Sequence, residues 1–416
     1  MKLQDILTYI GDNIERDDTL AEHWAESVAT FPAELPRFLD PESATEAREF
    51  ASLPVEADRE LREAALQIAA SPELLHLAWH CQRLLWDHLE YEAEKVARWP
   101  LLDRRLGDLS GAFYLLIALE AVSRMRAVHE RLGIPEKISR DSCCDYTEKL
   151  SMYREHHDGH FGILPSALAW LRHLVRGDLY CLGRHQYMVK PFGGHLKAYR
   201  HRQSRRLIAL AMAGERFDCE GFAAQTDSPG SWTAGLIETT TEVVGTPISP
   251  FGQAVDRELR LPLSEWDLAL SPGDMILEVH IPSGGSMTLD RCQDSMRQAL
   301  EFFPRHFPDT HFVGFATHSW ILNPQLEQIY RADSNMVKWQ RELYLFPVPS
   351  SNQAGVFFVF GKHEIDVNTA PRNTSLRRAF VDHLANGGRL IESGMFMLLE
   401  DFASEEDQVY RKQWQD

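Results

Sequence analysis

The chain has 416 residues, 44% of them hydrophobic and 25% charged, so it can build more than one core and its composition gives no ground for disorder over any long part. Its formal net charge of −18 excludes a surface that neutralises phosphates over many contacts, as nonspecific nucleic-acid binding requires, and suits a cationic small molecule better. No apolar run of membrane-span length, no secretory leader after Met1-Lys2-Leu3-Gln4-Asp5, and six cysteines with neither disulfide nor zinc spacing together point to a cytoplasmic protein with reduced thiols and no membrane partner.

Residues 1–177 read as helices. Short ones are expected at 2–10 and 57–70, a strongly amphipathic one carries Leu74, Leu75, Ala78, Trp79, Leu84, Leu85 and Leu89, and another runs from Leu109 to Leu132, where Gly133 and Pro135 stop it. Pro32, Pro36, Pro41 and Pro54 break the segment between the first two, which predicts a surface loop. Pro165 opens a last helix that Gly177 ends. His156 and His160 stand four apart, a spacing that lets two imidazoles share a metal on a helix, but Gly159 and Gly162 favour a loop and no Glu follows the first histidine. No metal is assigned, and a glycine-framed serine elbow is absent.

From 178 the texture turns to strands, at Leu179 to Val189, Lys197 to Met212 with its tip at Gly214, and Trp232 to Ile248. The basic run Lys197 to Arg206 reads as a solvated hairpin face. Ser271-Pro272-Gly273-Asp274 then turns the chain into a βαβα unit, Asp274 to Tyr344. Met275 to Ile281 is a buried strand, Pro282-Ser283-Gly284-Gly285-Ser286 ends it, and a helix starting at Ser286 or Thr288 carries Leu289, Cys292, Met296, Ala299 or Leu300, and Phe303. His311 to Leu322 is the second strand, and Asn323-Pro324 opens a helix that turns Leu326, Ile329, Tyr330 and Val337 inward. The tail adds strands at Tyr344 to Val348, Val356 to Phe360 and Gly394 to Leu399, and a helix near Ser375 to Leu384.

The fold class is therefore α+β: a helical domain over 1–177, then over 178–416 a mixed, mostly antiparallel sheet flanked by helices. Ligands of such sheets sit at the carboxyl ends of strands where neighbours diverge, here the ends of 275–281 and 311–321. The glycine turn exposes backbone N–H groups at a helix mouth and attracts phosphate, although the same turn also serves simply to join strand to helix.

Asn323-x-x-Leu326-x-x-Ile329-Tyr330 has the spacing of the N-x-x-A-x-x-L-Y signature of the GNAT superfamily of coenzyme A-dependent N-acyltransferases. Leu277 to Gly285, Ser319 to Pro324 and Ser334 to Val337 resemble the GNAT-like C-terminal domain of two-domain bacterial N-acyltransferases with a helical N-terminal domain, and Leu182 to Gln186 resembles their entry strand. The resemblance spans roughly 165–400. The usual pyrophosphate loop, Q/R-x-x-G-x-G/A, is absent, Leu326 stands in place of a small residue, and Ser334-Asn335 replaces Gly-Phe.

The resemblance implies an N-acyltransferase GNAT fold with acetyl-CoA or another acyl-CoA as co-substrate, no metal, and a small-molecule amine acceptor that attacks the thioester directly. Ile281, Ser283, Gly284, Gly285 and Ser286 would hold coenzyme A, with Asn323 on the pantetheine arm, and Tyr330 would protonate the leaving thiolate. Asn323 also suits a helix cap, and Tyr330 a half-buried packing role. A general base is needed near the split, and Glu278, His280 and His318 are each placed for it, the first two on one strand face. The alternative from another class is a GNAT-shaped module that binds acyl-CoA or another ligand without turnover.

Overall fold

The computed structural model describes residues 1–11, 19–226, 229–404 and 406–414. They fall into two compact units, Met1–Leu182 and Gly183–Asp416.

The first unit is built around the helix Ser110–Arg131, in which every residue from Phe113 to Leu119 is buried. Contrary to the expectation of no span-length run, the helical stretch Asp103–Arg131 is long and apolar enough by composition to cross a membrane; 78% of its most apolar window is buried inside the protein, as in a core helix. Gly111 allows close approach: a Cβ there would lie 2.2 Å from Tyr153 Cζ, and the Tyr153 hydroxyl accepts the Gly111 N–H at 3.1 Å. Ala57–Ala70 and Pro72–Trp86 form where the apolar spacing places them, and Trp86 Nε1 donates to the Ile117 carbonyl at 3.0 Å.

The loop expected between Pro32 and Pro54 is interrupted by the helix Pro41–Phe50. Asp40 caps it by accepting the Ser43 N–H at 2.9 Å, and Pro41 sits in the first turn, where a missing N–H is harmless. The segment after Pro165 is two 3₁₀ turns and the short helix Arg172–Arg176, ended by Gly177 at φ 68°. His156 ends the helix Cys144–His156, His157 stacks on Tyr153 at 3.8 Å, and His160 lies 3.4 Å from both Glu60 and Asp108.

In the second unit five strands lie in the order His185–Pro191, Met275–His280, Gly314–Ser319, Ser393–Leu398, Tyr344–Pro347. The Met275–His280 and Gly314–Ser319 pair is parallel and the other pairs are antiparallel. The long helix Leu289–His306 covers the face bearing Tyr187: the Tyr187 hydroxyl is 2.9 Å from Ser295 Oγ, and its ring lies 5.9 Å from that of Phe315. Thr288, not Ser286, is its N-cap, and Cys292, Met296, Ala299 and Phe303 are buried as their spacing predicts. A second sheet holds Trp266–Leu270, Leu196–His201, Leu207–Ala211 and Pro247–Ile248 in that order.

Several expected strands differ. Lys197 to Met212 is not one strand with its tip at Gly214 but a hairpin whose turn is 202–206, with Arg205 at φ 59° and Ser204 donating its N–H to His201 Nδ1 at 3.1 Å. Four of its basic residues pair with acids: Arg200 donates to both oxygens of Asp401 at 2.9 and 2.6 Å, Lys197 pairs with Glu238 at 2.6 Å, Arg202 with Asp267 at 2.8 Å, and Arg205 with Glu400. The second parallel strand starts at Gly314 and ends at Ser319, where a 3₁₀ turn, Trp320–Leu322, takes over. Val356–Phe360 is a short helix between two left-handed glycines, Gly355 and Gly361; a five-residue apolar run carries no periodicity that separates strand from helix.

Candidate active site where two parallel strands part

The parallel ladder consists of Leu277↔Phe315 and Glu278↔Ala316 and goes no further. On their outer sides both strands stay paired, His280 with Gln186 and Ser319 with Ser393, so the gap opens between them at their carboxyl ends. An extended amide chain laid into such a gap meets backbone groups that the ladder leaves off.

Ile281 to Ser286 follow directly. Gly284 and Gly285 take φ values of 80° and 72°, left-handed conformations that a side chain rarely adopts, and the would-be Cβ of Gly285 lies 3.4 Å from an Arg291 guanidinium nitrogen. The turn is anchored at both ends: Arg184 Nη1 donates to the Pro282 carbonyl at 2.9 Å, and Asn335 Nδ2 donates to Ser286 Oγ at 2.9 Å. Thr288 makes no side-chain cap bond to the first turn of the 18-residue helix. Glycine turn, helix mouth and Arg291 together form a place for an anion. Ser283 to Ser286 are exposed.

Glu278 and His280 lie on the face opposite the long helix, as the strand alternation requires. Glu278 Oε2 is 3.0 Å from His280 Nε2 and 2.7 Å from Lys190 Nζ. Burial works to raise the Glu278 pKa, but the hydrogen bonds from His280 and Lys190 prevail and hold it at about 2. A carboxylate this acidic is a poor proton acceptor at neutral pH and a good holder of an imidazole, so within this pair His280 is the better base. His318 is on the same face by register, two residues beyond Ala316, and is exposed.

Asn323 is buried, and its side chain is already engaged: Oδ1 accepts the Gln325 N–H at 3.0 Å, while its carbonyl accepts from Gln340 Nε2 at 3.3 Å. It shapes a turn, as a capping asparagine does. The helix expected to follow is broken. Leu326–Ile329 makes one turn, Tyr330 is extended at φ −89°, ψ 160°, and a new helix, Asn335–Arg341, starts with Ser334 accepting the Val337 N–H at 3.3 Å. Val337 is buried, but on that second helix. Tyr330 packs against the cluster of Leu326, Val356, Val359, Phe360 and Phe380, and its hydroxyl is buried with no hydrogen-bond partner among the described residues. Burial pushes the phenol up to about 12.

The model of the GNAT-like C-terminal domain matches residues 179–396, more than half of the chain, and that of the N-acyltransferase N-terminal domain matches residues 42–177. The chain belongs to the GNAT-like acyltransferases. Among curated proteins no sequence matches it. Similar solved structures include an acyltransferase in complex with decanoyl-CoA and teicoplanin, 22% identical with a TM-score of 0.63, and a mutant acyltransferase in complex with octanoyl-CoA, 20% identical with a TM-score of 0.62. In both comparisons 96% of this chain and 100% of the other are covered, which shows a shared fold.

In this acyltransferase the residues named from sequence gather in part. Glu278 and His280 touch, Gly284 and Gly285 form the turn, and His318 shares the face; the segment carrying Asn323 and Tyr330 has a different local structure from the one expected. Lys190, Arg184, Arg291 and Asn335 escaped sequence reading. Arg291 had a signal, since a cation in the first turn of a helix runs against the macrodipole and asks for an anion to explain it.

Proposed function

We propose that this protein moves an acyl group from an acyl-CoA to an amine by direct attack, without a covalent enzyme intermediate. The observation that carries the reading is the early end of the parallel ladder at Glu278 and Ala316, directly before the glycine turn and its helix mouth. The pantetheine arm lies in the gap, and Ile281, Ser283, Gly284, Gly285 and Ser286 with Arg291 take the pyrophosphate. Asn323 holds the entry to the following turn, with its side-chain oxygen taken by the Gln325 N–H and its carbonyl by Gln340 Nε2 and the Leu326 N–H, so it serves the pantetheine arm by shaping the end of the gap.

The acceptor ammonium first loses one proton to solvent, and His280, held by Glu278, takes the second from the amine as it adds to the thioester carbonyl and later releases it to solvent. The C–N bond forms as the carbonyl π electrons move to oxygen. Collapse breaks the C–S bond, and Tyr330 protonates the departing thiolate, to be reprotonated from solvent. Coenzyme A leaves as a thiol. The unpaired Tyr330 hydroxyl supports this role, since a buried donor without a partner is costly unless a ligand completes it.

The complexes of similar structures with octanoyl- and decanoyl-CoA favour a medium-chain donor over acetyl-CoA, and the teicoplanin complex favours a small-molecule acceptor. A cationic acceptor fits the net charge of −18, and a cytoplasmic site of action fits six free cysteines. Incubation with acetyl-, octanoyl- and decanoyl-CoA and a panel of amines, followed by thiol release and mass spectrometry of the acceptor, tests the reading. Acceptor-dependent thiol release with a mass gain equal to the acyl group is expected. Saturable binding of acyl-CoA with no release for any acceptor would favour the non-catalytic binding module instead.

A further inference from the structure

We propose that His23, Glu26 and His88 in the helical unit form a binding site for a divalent transition-metal ion, Zn²⁺ or one of similar chemistry. One ligand atom from each residue lies within 4.8 Å of the others. Glu26 Oε2 is 3.2 Å from His23 Nδ1 and 3.7 Å from His88 Nε2, and the two imidazole rings stack with centroids 3.7 Å apart and planes 19° from parallel. His88 Nε2 is buried and among the described residues makes no hydrogen bond, the Glu26 carboxylate at 3.7 Å being beyond hydrogen-bond reach.

The cluster is supported from beneath. Arg83, whose side chain is 8% exposed, donates to Glu26 Oε1 at 2.6 Å and thereby turns Oε2 toward the imidazoles. Arg83 is fixed in turn by Ser27 Oγ at 3.2 Å and Asp87 Oδ2 at 3.3 Å. Oriented outer partners of this kind set the direction of metal ligands. His23 precedes the helix Trp24–Ala29 in a left-handed conformation, φ 58°, which is strained for a residue with a side chain and turns its ring back over Glu26 one turn later.

Two neutral imidazoles and a carboxylate oxygen leave a fourth position for water and suit Zn²⁺, Co²⁺ or Ni²⁺ in preference to Mg²⁺ or Ca²⁺, which take oxygen ligands. The Arg83 charge opposes a dication, which sets the expected affinity in the micromolar range, below that of a dedicated structural zinc site. Bound metal would tie the turn at His23 to the end of the helix Pro72–Trp86.

The test uses the full chain, stripped with a chelator and titrated at neutral pH with ZnCl₂ by calorimetry and with CoCl₂ by visible absorption. One saturable site, a rise in Tm and a cobalt band abolished by Zn²⁺ are expected. His23→Ala and His88→Gln should each weaken binding more than about 10-fold, the least that losing even an outer partner costs, while His160→Ala leaves it unchanged. A variant that does not fold is replaced by histidine carbethoxylation of the unaltered chain, in which Zn²⁺ should protect His23 and His88 and no distant histidine. Absence of saturable binding, binding untouched by both substitutions, or no such protection would overturn the site.

Discussion

The two parallel strands end in opposite ways. Met275–His280 ends in a set that is complete by itself, with the Glu278 carboxylate bonded to His280 and Lys190. Gly314–Ser319 ends in His318, exposed and without an ion-pair partner among the described residues, and leads to Asn323, spent on its own turn, and Tyr330, with an unpaired hydroxyl. The difference separates groups that are arranged in advance from groups that a substrate would complete, and it matches the proposed division of labour, proton removal at the first strand and proton delivery beyond the second.

The largest expected effect breaks that contrast directly. His280→Ala should lower kcat by about 10³-fold, within the range for loss of a positioned general base, whereas His318→Ala should leave kcat within about 3-fold. Steady-state kinetics on both variants check it, and the reverse ranking would move the base to the second strand.

Glu278 comes next, through its acidity. Its folded pKa of about 2 lies below the ordinary glutamate value of 4.5, so the stabilisation from its bonds is fully present above pH 4.5 and is lost as pH falls through 2. The shift corresponds to roughly 3 kcal/mol, large for a residue that is 18% exposed and less in practice because solvent screens it. Urea unfolding should therefore show Glu278→Gln less stable than the unaltered protein at neutral pH, with the gap closing between pH 4.5 and 2. A gap independent of pH would mean that the carboxylate's partners do not hold it in solution.

Much of this strand was legible before any coordinates. Alternation from Met275 to His280 gave both faces, and glycines after a strand and before a helical stripe placed the turn. The second strand's sequel was not legible for a physical reason: Leu326, Ile329, Tyr330 and Val337 keep a helical spacing although the chain between them bends. The signal for the break was Ser334, a hydroxyl with the position of an N-cap within a polar run, just as Asp40 before Pro41 announced the helix that prolines concealed. Neither Lys190 nor the meeting of His88 with His23 and Glu26 has a local signal, because strand register and helix packing bring them together.

Tyr330→Phe sharpens the second side of the contrast. Removal of a donor to the leaving thiolate should lower kcat by about 10²-fold, the lower end for general-acid catalysis because a thiol is already a fair leaving group. Since the hydroxyl is buried without a partner, its loss should leave Tm unchanged or slightly raised. A fall in Tm with full activity would show a hydroxyl that was bonded in solution and had no part in turnover.

The smallest effect lies at the turn that serves both strands. Gly284 and Gly285 share the left-handed conformation, so an alanine at either position carries the same backbone strain, about 1 kcal/mol, but their surroundings differ. A Cβ on Gly284 meets nothing within 4 Å, whereas one on Gly285 stands 3.4 Å from the Arg291 guanidinium. Thermal unfolding should thus show both alanine variants losing similar stability, while the KM for acyl-CoA should rise further for Gly285→Ala, by about 3-fold, than for Gly284→Ala. Arg291→Gln, which leaves the backbone alone, should raise that KM by about 10-fold, since a hydrogen bond to a charged group contributes roughly 1.5 kcal/mol or more. If the anion is held by the helix mouth alone, Arg291→Gln will bind acyl-CoA as the unaltered protein does, and the two glycine variants will be indistinguishable in KM as well as in Tm.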